Sequence, residues 1–312
     1  HTFTIIGNDP KVLPMKDAKK MGAVDDFERG VIKAIGNANL VVISAPYGIV
    51  GDLYEAIGPN LKPGAVVFDF SLHKQPVIEL ANAHFPRNNQ GQPLAYVVGI
   101  TPVIAASGLY KGDTGVEGAS ADLFEKAEFL VTPDAKTPSE AIDLAGDVLQ
   151  LVGGKTRFMD PGEHDGLIAV TEELPMLVGT SLFYLLQRSE GWKELRRMVN
   201  PTLALMLQNL RTTSAQDMQA LFTQNRANLL RNLEAYIGLL DQIRDTLADE
   251  NGEALDAYLT LVQAEWEKWD VKRFSGEWDD VAQIEVLPGP LGSMTGFMQL
   301  TRRKKDKEED EE

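Results

Sequence analysis

The first half of the chain alternates short apolar runs with helix-like stretches, and this alternation limits the folds that are open to it. The apolar runs are four or five residues long, and several are rich in β-branched residues. They are Phe3–Gly7, Leu40–Ser44, Ala65–Asp69, Tyr96–Gly99 and Phe129–Thr132. Strands separated by helices at this spacing predict a parallel sheet with helices on its faces. We therefore predict an α/β domain over residues 1–158.

The pattern changes near Asp160, after which the chain is helical to about Trp269 with few turn signals. Apolar residues recur there at three- and four-residue steps and form a stripe on one helix face. The stripe consists of Leu229, Leu233, Tyr236, Ile237, Leu240, Ile243 and Leu247. It would pack either against helices of the same chain or against a second subunit, and the sequence favours neither. We predict an all-α helical domain over residues 159–280, and an extended arm with a charged, disordered tail over residues 281–312.

The chain is acidic, with 30 Lys and Arg against 46 Asp and Glu and a net charge of −16. Such a surface repels phosphate backbones and anionic lipids, so we expect no nucleic-acid partner and no membrane partner. No apolar run approaches the ~20 residues of a membrane span. Cysteine is absent, which excludes thiol nucleophiles and thiolate metal sites. We expect a cytoplasmic protein.

Polar residues at the ends of the predicted strands are candidate binding groups, because ligands of parallel sheets collect at the carboxyl ends of strands. Asp9 follows the first strand, where a carboxylate binds the adenosine ribose of NAD and disfavours the 2′-phosphate of NADP. The alternative is an ordinary turn residue. Ser44, Ala45 and Pro46 follow the second strand and can pass beneath a nicotinamide ribose. The sequence contains no G-x-G-x-x-G loop, and we expect that loop and a first strand upstream of His1.

Two histidines stand in polar surroundings. His73 lies in the loop Ser71–Lys74, and an imidazole titrates near neutral pH, so His73 is the candidate general acid or base. The alternative is an exposed loop histidine. His164 lies between Glu163 and Asp165, but adjacent helix positions point in different directions, so we predict no metal site.

The order of several motifs carries a family resemblance. The matching stretches are Leu40–Pro46, Asp69–Ser71, Leu123–Glu125, Leu130–Pro133, Met159–Asp165 and Leu174–Pro175. In this order they resemble the prephenate/arogenate dehydrogenase family over roughly the first 250 residues. The resemblance implies a Rossmann-like NAD(P)-binding domain, its first strand missing here, followed by a helical domain that forms a homodimer. It also implies oxidative decarboxylation of prephenate or arogenate, with hydride transfer to NAD or possibly NADP, in tyrosine biosynthesis.

The catalytic positions of that family are substituted in this chain. The family motif Gly-Gly-His-Pro reads Val98–Pro102 here, which places Thr101 at the position of the catalytic histidine. The motif Ser-His-Leu-Pro-His reads Glu172–Met176, which places Glu173 at the position of a substrate-binding histidine.

Other residues are therefore expected to carry the chemistry. The resemblance assigns a supporting catalytic role to Ser71, and we expect His73 to act as base and Arg211 to bind a substrate carboxylate. Glu173 can pair with the amino group of arogenate. Two alternatives remain, namely a dehydrogenase of another small substrate and a non-catalytic relative that binds partners through its helical domain.

Overall fold

The computed structural model describes residues 3–109 and 118–278. By its internal contacts the chain forms two compact units, one ending at Leu229 and the other beginning at Leu230. The first unit contains the sheets and all candidate site residues. The predicted arm and tail, residues 281–312, lie outside the described residues. The predicted boundary between residues 158 and 159 stays a prediction.

The strands form two sheets within the first unit. They are β1 (Ile6–Gly7), β2 (Asp26–Phe27), β3 (Leu40–Ile43), β4 (Val66–Asp69), β5 (Tyr96–Val103), β6 (Glu128–Pro133) and β7 (Lys155–Phe158). β1 and β2 pair in parallel, and the larger sheet has the order β3-β4-β5-β6-β7. All five predicted strands are present, and the predicted α/β, Rossmann-like class is confirmed. The sheet is not wholly parallel, however, because β6 runs antiparallel to β5.

The larger sheet is covered by helices on both faces, as the predicted class requires. Side chains alternate between the faces of a strand, so Val67 of β4 packs on one side and Phe68 on the other. Val67 belongs to a core with Tyr54 and Val77, which lie on helices α3 and α4. Phe68 belongs to a second core with Ala145 of α5. This packing fixes the loop after β4, which carries several candidate site residues.

Helices make up most of the chain after β7. The helices are α1 (Val12–Met21), α2 (Val31–Ile35), α3 (Val50–Ile57), α4 (Gln75–His84), α5 (Ser139–Leu151), α6 (Pro161–Ile168), α7 (Leu174–Gln187), α8 (Trp192–Leu195), α9 (Pro201–Met206), α10 (Asn209–Thr212), α11 (Ala215–Gln224), α12 (Arg226–Ala248) and α13 (Gly252–Ser275). A π-helical turn, Ala169–Glu173, joins α6 to α7. Pro175 lacks the N–H of a regular helix and its ring would crowd the carbonyl four residues earlier, which explains the wider turn.

The joined segment Pro161–Gln187 corrects the expectation that no apolar stretch approaches the length of a membrane span. It is 27 residues long and contains an 18-residue window with a mean hydropathy of 1.3, so by length and composition alone it could cross a membrane. It also carries Asp165 and Glu173, which are buried and hydrogen-bonded within the first unit. Core helices of globular proteins meet the same length and composition criteria.

The apolar stripe predicted on α12 is only partly covered. Leu229 is buried, whereas Ile237, Leu240 and Leu247 are exposed. Helix α13 likewise has large exposed apolar side chains, namely Leu259, Val262, Trp266, Trp269, Val271 and Phe274.

Candidate active site

The loop that follows β4 is held in place by a buried lysine. The Lys74 ammonium donates to the backbone carbonyls of Asp69, Ser71 and Ile100 at 3.1, 2.5 and 2.9 Å. It therefore ties the end of β4 to β5. The lysine side chain passes over Gly99, where an added Cβ would lie 2.8 Å from Lys74 Cδ. Burial lowers the pKa of Lys74 to about 8, against the opposing effect of Asp69 and Asp165.

His73, the residue before this lysine, lies at the centre of a buried hydrogen-bond network. Its Nε2 contacts Glu173 Oε1, and both side chains are fully buried. Its Nδ1 lies 2.7 Å from the Tyr47 hydroxyl, which donates to Gln224 Oε1 at 2.7 Å. The second carboxylate oxygen of Glu173 accepts from Asn225 Nδ2 at 3.1 Å. His73 is therefore not the exposed loop residue of the alternative interpretation.

The donors and acceptors of this network determine where its protons lie. Because the single Tyr47 proton points to Gln224, His73 Nδ1 must donate to the tyrosine oxygen. One further proton then lies between His73 Nε2 and Glu173. Both ring nitrogens of His73 are thus engaged within the protein. Burial, followed by Asp165, Asp69 and Glu173, raises the pKa of Tyr47, which keeps its hydroxyl protonated.

A second buried histidine contacts Thr101. His164 is fully buried, and its Nε2 lies 2.8 Å from Thr101 Oγ1. Its Nδ1 lies 3.1 Å from Asp165 Oδ1. The result is a hydroxyl–imidazole–carboxylate chain that starts at Thr101, the residue predicted from the sequence to stand in place of a catalytic histidine. Thr101 itself is only partly buried.

Asp165 links the two histidine clusters. Its carboxylate accepts the backbone N–H groups of Lys74 and Gln75 at 2.7 and 3.0 Å, at the start of α4. Its backbone carbonyl accepts from Asn225 Nδ2 at 2.8 Å. Helix α6, the loop after β4 and the end of α11 are therefore joined in one polar core.

The structure brings together some of the sequence-predicted residues. Ser71, His73, Thr101 and Glu173 lie in or beside this core, within the first unit. The Ser71 hydroxyl is buried, and it has no hydrogen-bond partner in residues 3–109 and 118–278. It therefore makes no hydrogen bond with Thr101 or with either histidine.

The remaining predicted residues lie outside the core. Arg211, on α10, is exposed, and its guanidinium has no hydrogen bond or ion pair with any residue that the structure describes. Asp9 accepts the Lys11 backbone N–H at 2.6 Å through Oδ1, as a turn residue does. Ser44 and Pro46 are exposed, while Ala45 is partly buried, in the loop at the carboxyl end of β3.

Sequence reasoning missed several members of the core. The sequence assigns His164 and Asp165 no catalytic role, although both belong to a motif that carries the family resemblance. Among the described residues, no group of three or more His, Asp or Glu could hold a metal ion. The available signal was the Met159–Asp165 motif, which carries the family resemblance. Tyr47 and Asn225 gave no local signal, because their contacts join distant parts of the chain.

A surface cavity of about 620 Å³ opens near the core but is lined by other residues. These include Gln75, Glu79, Asp134, Phe158 and Asp160. None of the sequence-predicted site residues lines it, so the hydrogen-bond geometry, and not this cavity, marks the candidate active site.

Two family descriptions match almost the whole described chain. "Prephenate dehydrogenase, nucleotide-binding domain" matches residues 1–158, and "Prephenate dehydrogenase, dimerization domain" matches residues 160–261. The chain belongs to the prephenate dehydrogenase family. The family resemblance predicted from the sequence motifs is confirmed.

Two relatives illustrate the family membership. A cyclohexadienyl dehydrogenase of Zymomonas mobilis is 24% identical over 241 residues, covering 76% of this chain and 78% of that protein. A prephenate dehydrogenase of Bacillus subtilis is 25% identical over 258 residues, covering 81% of this chain and 66% of that protein. Their names agree on the type of reaction and differ in the substrate.

Solved structures of the prephenate dehydrogenase family share the fold. Prephenate dehydrogenase from A. aeolicus, solved with hydroxyphenyl propionate and NAD+, has a TM-score of 0.71 at 20% identity. The match covers 86% of this chain and 89% of that one. Synechocystis arogenate dehydrogenase has a TM-score of 0.63 at 20% identity, and the match covers 85% of this chain and 91% of that one.

Proposed function

We propose that the protein is an NAD-dependent dehydrogenase that oxidatively decarboxylates prephenate or arogenate in tyrosine biosynthesis. The observation that carries this proposal is the match of both domains of the prephenate dehydrogenase family to consecutive parts of the chain. The buried polar core supports it, since this core lies at the carboxyl end of β4 and beside Thr101 in the second half of β5, and α/β proteins bind ligands at the carboxyl ends of strands.

Residues at the strand ends fit a dinucleotide cofactor. The buried Ser71 hydroxyl, which lacks a partner among the described residues, can bond to a polar group of a ligand. Asp9 would hold the adenosine ribose through its second carboxylate oxygen, and the exposed Ser44–Pro46 loop would lie against the nicotinamide ribose. When bound, NAD supplies the hydride acceptor. The Asp9 carboxylate favours NAD, and NADP is the alternative cofactor.

The proposed reaction breaks two bonds of the substrate ring. Hydrogen leaves C4 as hydride, and the ring carboxylate leaves as carbon dioxide. The electron pair of the broken carbon–carbon bond enters the ring, which becomes aromatic, and the C4 hydroxyl becomes a phenol. Positive charge develops at the C4 oxygen as hydride departs, so a hydrogen-bond acceptor placed there lowers the barrier. The proposed reaction groups in this chain are Ser71, His73 and Thr101.

Substrate carboxylates and amines need charged partners. We propose Arg211 as the carboxylate-binding residue, because an exposed guanidinium without an internal partner in the described chain can bind a carboxylate in bidentate geometry. Glu173 repels an anionic group and attracts an ammonium, so its position favours arogenate. Its contacts with His73 and Asn225 mean that a substrate amine would have to displace one of them.

The proposed assembly is a homodimer in the cytoplasm. Its supporting observations are the match to a dimerization domain at residues 160–261 and the exposed side chains of Ile237, Leu240 and Leu247 on α12. A second subunit would cover this apolar surface. The proposed partners are otherwise small molecules.

Turnover assays test the proposal directly. We expect the protein to reduce NAD in the presence of prephenate or arogenate, with the higher kcat/KM for arogenate because of Glu173. The same assay with NADP in place of NAD measures the cofactor preference, and a panel of small hydroxy acids serves as the control for substrate specificity. Reduction with the control substrates alone would assign a different dehydrogenase reaction. Binding of NAD without turnover of any substrate would favour a non-catalytic role.

Replacement of His73 by alanine is expected to lower kcat far more than replacement of His84. His73 lies in the polar core, whereas His84 lies at the end of α4, away from this network. A loss of about 100-fold or more for His73→Ala is typical when an acid–base network is broken. Equal effects of the two substitutions would remove His73 from the mechanism.

A further inference from the structure

The contact between Thr101 and His164 joins a partly exposed hydroxyl to a buried imidazole. Thr101 Oγ1 lies 2.8 Å from His164 Nε2, and His164 Nδ1 lies 3.1 Å from Asp165 Oδ1. A carboxylate oxygen can only accept, so Nδ1 donates to Asp165 and a neutral imidazole then accepts at Nε2. The threonine hydroxyl must donate to that nitrogen. Its own oxygen lone pairs stay available to an outside donor.

We propose that Thr101 and His164 together replace the missing catalytic histidine, with Thr101 touching the substrate hydroxyl and His164 storing the proton behind it. This inference rests on the proposed function. Threonine alone is far too weak a base near neutral pH, but a threonine hydroxyl bonded to an imidazole transmits a proton to it. Asp165 orients the ring and stabilises the imidazolium, as the third group of a hydroxyl–histidine–carboxylate chain does.

The relay conserves protons over the whole reaction. As hydride leaves C4 of the substrate, the C4 hydroxyl proton moves to Thr101 Oγ1, and the threonine proton moves to His164 Nε2. The C4–O bond gains double-bond character at this stage. When carbon dioxide leaves and the ring becomes aromatic, the two protons return along the same path. The product is a phenol, and His164 is neutral again.

The alternative base, His73, is less suited to contact substrate. Both of its ring nitrogens are engaged, one by Tyr47 and one by Glu173, and its side chain is fully buried. Thr101, in contrast, is partly exposed. The position of Thr101 in β5 also matches that of the family's catalytic histidine, so a relay through its hydroxyl acts at the same point of the site.

Several charged groups lie in the same polar core as His164. Asp165 contacts it directly from the same helix. The Lys74 ammonium, from the loop after β4, bonds to the Ile100 carbonyl beside Thr101. The His73–Glu173 pair is linked to Asp165 through Asn225.

Two substitutions at Thr101 test the effect of its hydroxyl on activity separately from the effect of its side-chain volume. We expect Thr101→Val, which keeps the volume but removes the hydroxyl, to lower kcat about 10²–10⁴-fold with a smaller change in KM. Thr101→Ser should recover activity to within about tenfold of wild type, because it restores the relay. Thr156→Val, on the exposed strand β7, is the matched control and should leave kcat unchanged. Thermal unfolding verifies that each variant is folded.

The pH profile of kcat identifies the proton acceptor. Wild type should lose activity as the pH falls and His164 becomes protonated. His164→Gln, which retains hydrogen-bonding ability but not the titration, should be slow and lack this acidic limb. His84→Gln should keep it. Retention of the limb in His164→Gln together with its loss in His73→Gln would overturn the relay and assign the base to His73.

Nitrogen NMR of the ligand-free wild-type protein gives a readout independent of activity. The relay requires His164 to carry its proton on Nδ1 at neutral pH, with an unprotonated Nε2 whose resonance shifts in Thr101→Val. Protonation on Nε2 alone would overturn it. If wild type turns over neither prephenate nor arogenate, the proposed function fails and the relay with it. If wild type is active and Thr101→Val matches Thr156→Val, only the relay fails.

Discussion

The stability difference between wild type and Lys74→Met is expected to grow by about 3 kcal/mol in favour of wild type as the pH rises from 8 to 10.5. Burial lowers the pKa of Lys74 from 10.5 to about 8 in the folded protein. The unfolded chain keeps the ordinary value, so in this range it binds more protons than the folded state. A rising pH therefore relieves the folded state of the cost of burying an ammonium ion.

Chemical unfolding in urea at a series of pH values measures this effect. Methionine keeps the length of the lysine side chain and removes the titrating group, so subtraction cancels the titration of tyrosines and surface lysines. Lys155→Met, on the exposed strand β7, is the matched control and should differ from wild type by a constant amount. A pH-independent difference for Lys74→Met would mean that this ammonium keeps its ordinary pKa when folded.

The elements that the sequence predicted share a strong local signal. The runs at β3 and β4 are apolar and β-branched, and most of their side chains belong to the two hydrophobic cores on the faces of the sheet. Strand β7 lacked that signal, because all four of its side chains are exposed and only its backbone pairing with β6 defines it. The antiparallel direction of β6 also depends on pairing between distant residues, which no local pattern encodes.

The candidate site was predictable only in part for a related reason. Thr101 and Ser71 follow from strand ends and motif positions. The partner of Thr101 is His164, 63 residues away in sequence, and no spacing rule joins them. A helical carboxylate such as Glu173 ordinarily indicates a solvent-exposed position. Glu173 is buried at the end of the π-helical turn. We attribute that turn to Pro175, which alters the helix geometry of the residues before it, so the residue type at position 173 alone does not reveal the burial.

A second large change in the free energy of unfolding is expected when the buried pair His73 and Glu173 is substituted. Replacing either residue alone with leucine should destabilise the protein by about 3–5 kcal/mol, since each substitution leaves the other polar group buried without its partner. Replacing both should cost less than the sum, because the two unsatisfied groups disappear together. We expect a coupling energy of about 2–5 kcal/mol from the double-mutant cycle.

The cycle also decides whether the polar core acts as one unit. The exposed ion pair Lys19–Asp26, with its nitrogen and oxygen 2.8 Å apart, is the matched control, and solvent screening should keep its coupling energy below about 1 kcal/mol. Asn225 bonds to the same carboxylate and also to the Asp165 carbonyl and to Asn228, so only the part of the Asn225→Leu cost that comes from Glu173 should disappear in the Glu173→Leu background. Strictly additive costs for His73 and Glu173 would show that the two side chains are not energetically coupled, and that the polar core does not act as one unit.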